Sequence, residues 1–322
     1  MKRYGVLLVN LGTPDKPEKK AVRAYLREFL MDKQVINLPY PLRFALVNFI
    51  IIPKRLNKVT GLYKSIWGND SPIRSILFKQ AHALELRLQK QNDHFSVEAA
   101  MTYGSPGINQ AVNSLMKRNV DELILLPLYP QFSYTTTTPV IKRVNRAVKR
   151  LSFKGRLQTV EHYFQHPLYI DALAQQFLTR WESNDKPQAL VLSYHGIPLS
   201  YVEKGDPYID QCKQTTELLK TALQTSGVKI FESFQSRVTS EEWVKPYTDE
   251  LLLELAQQKI AHLEISCPGF SADCLETLDE IGIEYQKTYL EAGGESFFCY
   301  PALNDSDKQI HLLEALILEQ LS

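Results

Sequence analysis

LVNLGTP at residues 8–14 and LSYHGIP at residues 192–198 are two versions of one pattern. Leu8, Gly12 and Pro14 of the first match Leu192, Gly196 and Pro198 of the second. A second pair follows in the same order: PQFS at 130–133 and PGFS at 268–271. Each motif comes directly after an apolar, strand-like run. Two motifs repeated in order, each behind a strand, argue for an internal duplication. Strand-like runs lie at 4–11, 95–103, 122–129, 156–163, 189–195, 229–235, 261–267 and 296–301. Helical patterns at 18–31, 72–91, 106–118, 139–151, 167–182, 207–224, 246–258, 273–285 and 306–321 fall between and after them. Such alternation predicts parallel sheets covered by helices on both faces. The expected fold class is α/β: two similar, Rossmann-like, doubly wound domains with four-stranded parallel sheets. The first domain is expected at 1–155 plus 304–322, the second at 156–303.

Composition sets the outer limits. A chain of 322 residues is long enough for two domains and a sizeable core. With 37 Lys and Arg against 36 Asp and Glu, there is no global charge footprint for nucleic acid. The cysteines at 212, 267, 274 and 299 form no C-x-x-C pair, so they read as reduced thiols rather than a disulfide framework or a common zinc site. The opening MKRYGVLLVNLGTP lacks the pattern of a signal peptide. PLRFALVNFIIIPKR, residues 41–55, is the most apolar stretch, and its uninterrupted part is far short of the ~20 residues that span a bilayer. Apolar between basic ends, it suits either a surface lip that meets lipid or a greasy ligand, or a buried helix.

The halves differ where chemistry would sit. From Gly12 to Phe132 is 120 positions and from Gly196 to Phe270 is 74, so the first half holds 46 more. The 35–70 region, which includes the apolar stretch, is the natural insertion. Before the motif glycine, the first half has Leu11 and the second has His195. After Phe-Ser, the first half reads Tyr-Thr-Thr-Thr-Thr and the second leads into Asp273, Glu276, Glu280 and Glu284.

On an α-helix, Glu276, Glu280 and Glu284 at i, i+4 and i+8 stack on one face, where each like-charge pair costs about 0.2–0.5 kcal/mol. One account is structural. Leu275, Leu278, Ile281 and Tyr285 form an opposite apolar face, and Asp273 with Glu276 fits a capping box. The other is chemical. Ligands of open α/β sheets bind beyond the carboxyl ends of strands, which is where His195 and the acidic helix both begin. Histidine with carboxylates suits proton transfer or a divalent cation. Acids in a line pass an ion along, where a cage would retain it. No P-loop and no strand-linked G-x-G-x-x-G is present, so nucleotide binding is not indicated.

NLGTP, LPLYPQFS, LSYHGIP, FQSR with WVKPYTDE, and CPGFSADCLETLDE together resemble the ferrochelatases, which insert ferrous iron into a porphyrin. The resemblance runs from about residue 4 to 304, in order, and is closest to the bacterial protoporphyrin-using form. It implies two Rossmann-like, chelatase-like domains with a cleft between them. It places His195 and Glu276 at the metal and porphyrin centre, Glu280 and Glu284 in an acidic ladder, and Asp273 as a supporting acid. Tyr103, Trp243 and Ser71 fall in segments that line the family's porphyrin pocket, and Arg55 and Tyr63 match lip residues near the propionates. The implied partners are protoporphyrin IX and Fe2+, the latter as substrate, with no tightly bound cofactor. The chain stops at Ser322 without a cysteine-rich extension, so no iron–sulfur cluster is expected, and a monomer is. The implied location is the cytoplasm, with peripheral contact at the inner face of the membrane through 41–55. Two alternatives stand beside this: a chelatase for another tetrapyrrole or metal, and a haem carrier without turnover.

Overall fold

Eight apolar runs become eight strands in two sheets. The computed structural model describes residues 2–91, 94–237 and 241–321. Strands β1 (Tyr4–Thr13), β2 (Phe95–Gly104), β3 (Glu122–Pro127) and β4 (Arg156–Thr159) form one sheet in the order β2-β1-β3-β4. Strands β5 (Ala189–His195), β6 (Lys229–Gln235), β7 (His262–Ser266) and β8 (Ser296–Cys299) form the other in the order β6-β5-β7-β8. Every pair is parallel. The two orders are the same once four is added to each label, which is the duplication expressed as topology. Central strands buried on both faces read as unbroken apolar runs. Val6 to Val9 on β1 and Ala189 to Leu192 on β5 are fully buried, and that is why those runs were visible in the sequence. Strand β4 is shorter than the run at 156–163 suggested. It is an edge strand paired only with Glu122–Leu125, and a short edge strand limits exposure of unpaired backbone.

The chain divides into two compact units. One runs through residue 128, takes in 133–161 and resumes at 313; the other holds 129–132 and 162–312. The second unit has a core in which Val191, Leu263 and Ile265 of its sheet pack with Leu252, Ile281, Tyr285 and Tyr289 of the covering helices.

The motif glycines have a shared physical cause. A Cβ on Gly12 would lie 1.8 Å from the carbonyl oxygen of Tyr103, its partner on β2. A Cβ on Gly196 would lie 2.9 Å from the carbonyl oxygen of Gln235 on the strand beside it. In both halves the first strand ends by closing onto its neighbour's backbone, so tightly at Gly12 that only glycine leaves the room and less tightly at Gly196.

The extra residues of the first half all lie between β1 and β2. That connection holds helices Lys19–Leu30, Tyr40–Ala45, Ile52–Ile66 and Pro72–Gln89, with a π-helical turn at Leu46–Ile51. Within the 41–55 stretch, Val47 and Ile52 are buried, but Leu42, Phe49 and Ile50 are 61%, 72% and 48% exposed. The stretch is thus a surface element with an inner anchor, and not a buried helix. Among the described residues, no helix is long and apolar enough to cross a membrane.

Strand β6 carries one misplaced charge. Glu232 accepts a hydrogen bond from Thr216 Oγ1 at 2.8 Å, and burial pushes its carboxyl above the usual range against the pull of that bond and of Lys213 and Lys220. The folded chain therefore holds this proton more tightly than the unfolded one. Its contribution to stability is fully present below the ordinary carboxylate pKa and is lost as pH rises through the raised value. Glu232→Gln, which keeps an acceptor for Thr216, should raise the melting temperature at neutral pH. The gain stays under about 1 kcal/mol because the carboxylate is partly solvated. Calorimetry at neutral pH and near pH 4 checks this: the gap between variant and parent should close in acid.

Candidate active site

Side chains alternate across a strand, so residues two apart share a face. On β5, Ala189 and Val191 pack in the core with Ile281, Tyr285 and Tyr289. Ser193 and His195 continue that face, toward the helix that carries the acids. The sheet order also places the site. In β6-β5-β7-β8 the strand order reverses between β5 and β7, and ligands of open α/β sheets bind at such a switch point. His195 ends β5, and the acidic helix follows the loop after β7.

His195 is half-buried, and its Nδ1–H donates to the Gly196 carbonyl oxygen at 2.7 Å. With the hydrogen on Nδ1, the neutral ring carries its lone pair on Nε2. The imidazole can then accept a proton or ligate a metal through that atom. The turn behind it is fixed. Gly196 N–H donates to the Gln235 carbonyl at 2.8 Å, and Trp243, itself buried, packs so that its Cε3 would sit 3.2 Å from a Cβ on Gly196. Beneath His195, Ser193 Oγ donates to Gln235 Oε1 at 2.7 Å and lies 2.8 Å from Thr248 Oγ1.

The acidic segment is helical, as its pattern predicted, but the helix is of a different kind. Residues Glu276–Tyr285 form a π-helix, which continues as an α-helix over Gln286–Glu291. A π-helix closes its hydrogen bonds from i to i+5, a wider turn than 3.6 residues. Residues four apart still share a face, so the ladder survives. The capping box does not form as expected. Thr277 takes the reciprocal place: its Oγ1 accepts from Cys274 N–H at 3.0 Å and donates to Asp273 Oδ1 at 3.0 Å. The other bonds to Asp273 come from Ala302 N–H at 3.1 Å and Asn304 Nδ2 at 2.6 Å. Asp273 is thus a buried carboxylate that ties the start of the acidic helix to the loop after β8.

Glu280 is the best-defined acid of the ladder. Tyr285 OH donates to its Oε1 at 2.9 Å, and the Ser236 hydroxyl donates to its Oε2. Burial raises its carboxyl above the usual range; the Ser236 and Tyr285 bonds and the His195 ring pull the other way, and Glu276 adds to the rise. His195 and Glu276 are therefore both within electrostatic reach of Glu280. Glu284 is exposed, one step further along the helix. Among the described residues, no group of three or more His, Cys, Asp or Glu is arranged as a cage for a metal ion. All four cysteines are free; burial pushes the thiols of Cys212, Cys267 and Cys274 up, and that of Cys299 to about 12.

The remaining predicted contacts belong to the first unit. Arg55 is exposed on helix Ile52–Ile66. Tyr63 is buried, edge-on to Tyr25 and Trp67. Ser71 is buried and its Oγ accepts from Thr13 Oγ1 at 2.7 Å. Tyr103 is fully buried beneath the Arg143 guanidinium, 4.6 Å from the ring centroid.

Ser236 and Tyr285 were not anticipated at the site. Ser236 has φ of +69°, a left-handed conformation that costs a non-glycine residue about 1–2 kcal/mol. Tyr285 was assigned to the apolar face. The one available signal was Gly282, an unusual residue inside a helix and a sign of irregular winding.

A ferrochelatase family model matches residues 3–321. A ferrochelatase of Acinetobacter baumannii is 41% identical over 318 residues, covering 98% of this chain and 94% of the relative. One of Hamiltonella defensa is 44% identical over 316 residues, covering 98% of each. Among solved structures, SirB from Bacillus subtilis with Fe3+ matches 99% of this chain and 95% of its own, with a TM-score of 0.57 at 14% identity, which supports the chelatase-like fold. With a match over nearly its whole length and relatives well above 30% identity, the chain belongs to the ferrochelatase family.

Proposed function

We propose that His195 and Glu276, with Glu280 and Glu284 behind them, carry the exchange of pyrrole protons for a ferrous ion by which the chain converts protoporphyrin to protohaem in haem synthesis. The observation that carries this is the Glu280 carboxylate, held by Tyr285 and Ser236 within electrostatic reach of His195 and Glu276.

The reaction sets the requirements. A divalent metal displaces two pyrrole protons, and a flat macrocycle hides the nitrogen lone pairs in its plane. Binding energy from the remote ring and propionates is best used to hold the porphyrin distorted. Nε2 of His195, with its lone pair free, accepts a pyrrole proton. Glu276 favours the resulting imidazolium and carries its proton outward, so that the ring is free to take the second pyrrole proton. Glu284, exposed, meets hydrated iron first, and Glu280 relays it inward. Arg55 offers a propionate a two-pronged partner, and Tyr63, Ser71, Tyr103 and Trp243 are the further porphyrin contacts we propose. The exposed Leu42, Phe49 and Ile50 support peripheral contact of the 41–55 stretch with lipid.

The test is an anaerobic assay with protoporphyrin and Fe2+, following loss of free-porphyrin fluorescence. Glu280→Gln and Glu284→Gln should each raise KM for iron about 10-fold, as expected when an attracting charge is removed from an ion's path, and leave KM for porphyrin unchanged. Iron kinetics equal to those of the parent in both variants would sink the metal-path assignment.

A further inference from the structure

The π-helix brings together two residues that an α-helix would keep apart. At 3.6 residues per turn, positions 280 and 285 point about 140° away from one another. That is why Tyr285 reads from the sequence as part of the apolar face. In a π-helix, positions five apart are neighbours across one turn. Tyr285 uses this: its ring stays in the core with Ile281 and Cys267, and its hydroxyl reaches Glu280 Oε1 at 2.9 Å. The second carboxylate oxygen, Oε2, takes a hydrogen bond from Ser236, which arrives from a different element, the end of β6. Ser236 is held there in a left-handed conformation with φ of +69°. The strand end just before it is pinned, by Gly196 N–H to Gln235 O at 2.8 Å and by Phe234 N–H to Pro246 O at 2.8 Å.

We propose that Ser236 and Tyr285 are positioning residues that aim the Glu280 carboxylate at incoming ferrous iron. One donor on each oxygen fixes the plane of the carboxylate and occupies one lone pair on each atom. The lone pairs left over define the direction in which a cation is met. A strained serine and a π-turn both serve a single acid, and neither is needed to build the sheet. This inference rests on Glu280 as a metal-path acid, and the experiment separates the two.

Ser236→Gly removes the hydroxyl and also relieves the strain, because glycine adopts positive φ freely. Its melting temperature should equal or exceed that of the parent. Tyr285→Phe keeps the ring in the core and removes only the donor. Each should raise KM for Fe2+ about 10-fold, the usual scale for losing a partner that orients a metal-directed group, with KM for porphyrin unchanged. A Ser236→Gly protein that is at least as stable as the parent yet weaker toward iron cannot be explained by a structural role. If both variants keep KM for iron within about twofold of the parent while Glu280→Gln raises it, the positioning role is overturned. If Glu280→Gln itself leaves the iron kinetics unchanged, the metal-path assignment fails and this proposal fails with it.

Discussion

His195→Ala is expected to abolish iron insertion while leaving protoporphyrin bound. General acid–base catalysis by a placed side chain contributes about 10²–10⁴-fold, and the loss should reach at least that scale. The variant should fold. His195 is the last, half-buried residue of β5, and the turn behind it is held by a backbone bond, Gly196 N–H to Gln235 O, that alanine retains. No nearby group substitutes well for the ring. Glu280 already has both oxygens engaged by Tyr285 and Ser236. An added carboxylic acid would also lack the rigid orientation that the Nδ1–H bond to Gly196 O gives the imidazole. The measurement is single-turnover insertion of Fe2+ under anaerobic conditions, beside a porphyrin titration by fluorescence. Zinc serves as a second metal, to separate a loss of proton transfer from a loss of iron handling. Substantial turnover in the variant would remove His195 from the mechanism. Loss of porphyrin binding along with turnover would make His195 a binding residue first.

Most of the scaffold was legible because central parallel strands are buried on both faces and announce themselves as apolar runs. β5 at Ala189–His195 and β7 at His262–Ser266 fall where those runs do. The position of His195 followed from the same logic, since the run ALVLSYH stops at a glycine that a close strand requires. The support of the site was less legible, for a definite reason. Assigning residues to helix faces assumes a period. The acids survive the change from 3.6 residues per turn to the π-turn because four is close to a full turn in both. Tyr285, five positions from Glu280, does not: it moves from the far side to the adjacent one. Ser236 lies in the FQSR motif, but nothing local marks its contact with Glu280. A serine at a strand end is ordinary, and only its positive φ and its bond to Glu280 mark it. The capping box failed in a similar way, because Thr277 and the loop at 302–304 supplied better partners for Asp273 than Glu276 could. Local pattern placed the elements, and tertiary contacts decided which polar atoms met.

Gly12→Ala should cost the first unit its fold, an effect larger than any other single methyl group considered. The new Cβ would fall 1.8 Å from the Tyr103 carbonyl oxygen and 2.8 Å from its carbon, and both are backbone atoms that cannot swing aside. The φ of Gly12, +128°, is one that a side chain rarely tolerates. Relief would require β1 and β2 to part where Gly12 pairs with Tyr103, under the Arg143 guanidinium and the ring of Phe29, 5.1 Å away. Steric overlap and backbone strain together belong to the exceptional class of about 4–5 kcal/mol or more. Against a total stability of roughly 5–15 kcal/mol, that leaves little soluble protein. Gly196→Ala is the informative control. Its Cβ would meet Gln235 O at 2.9 Å and Trp243 Cε3 at 3.2 Å, without a positive φ to add strain, and the indole can yield by a few tenths of an ångström. Overpacking of this kind costs about 1–3 kcal/mol. That protein should fold, but with the turn behind His195 displaced, so insertion should fall by more than stability alone accounts for. Soluble yield and urea denaturation of the two variants, with activity measured for the second, decide the matter. Equal stability would mean that the two motif glycines still do the same work. The expected inequality would show that one half of an ancient repeat kept its glycine for the sheet, and the other for the histidine beside it.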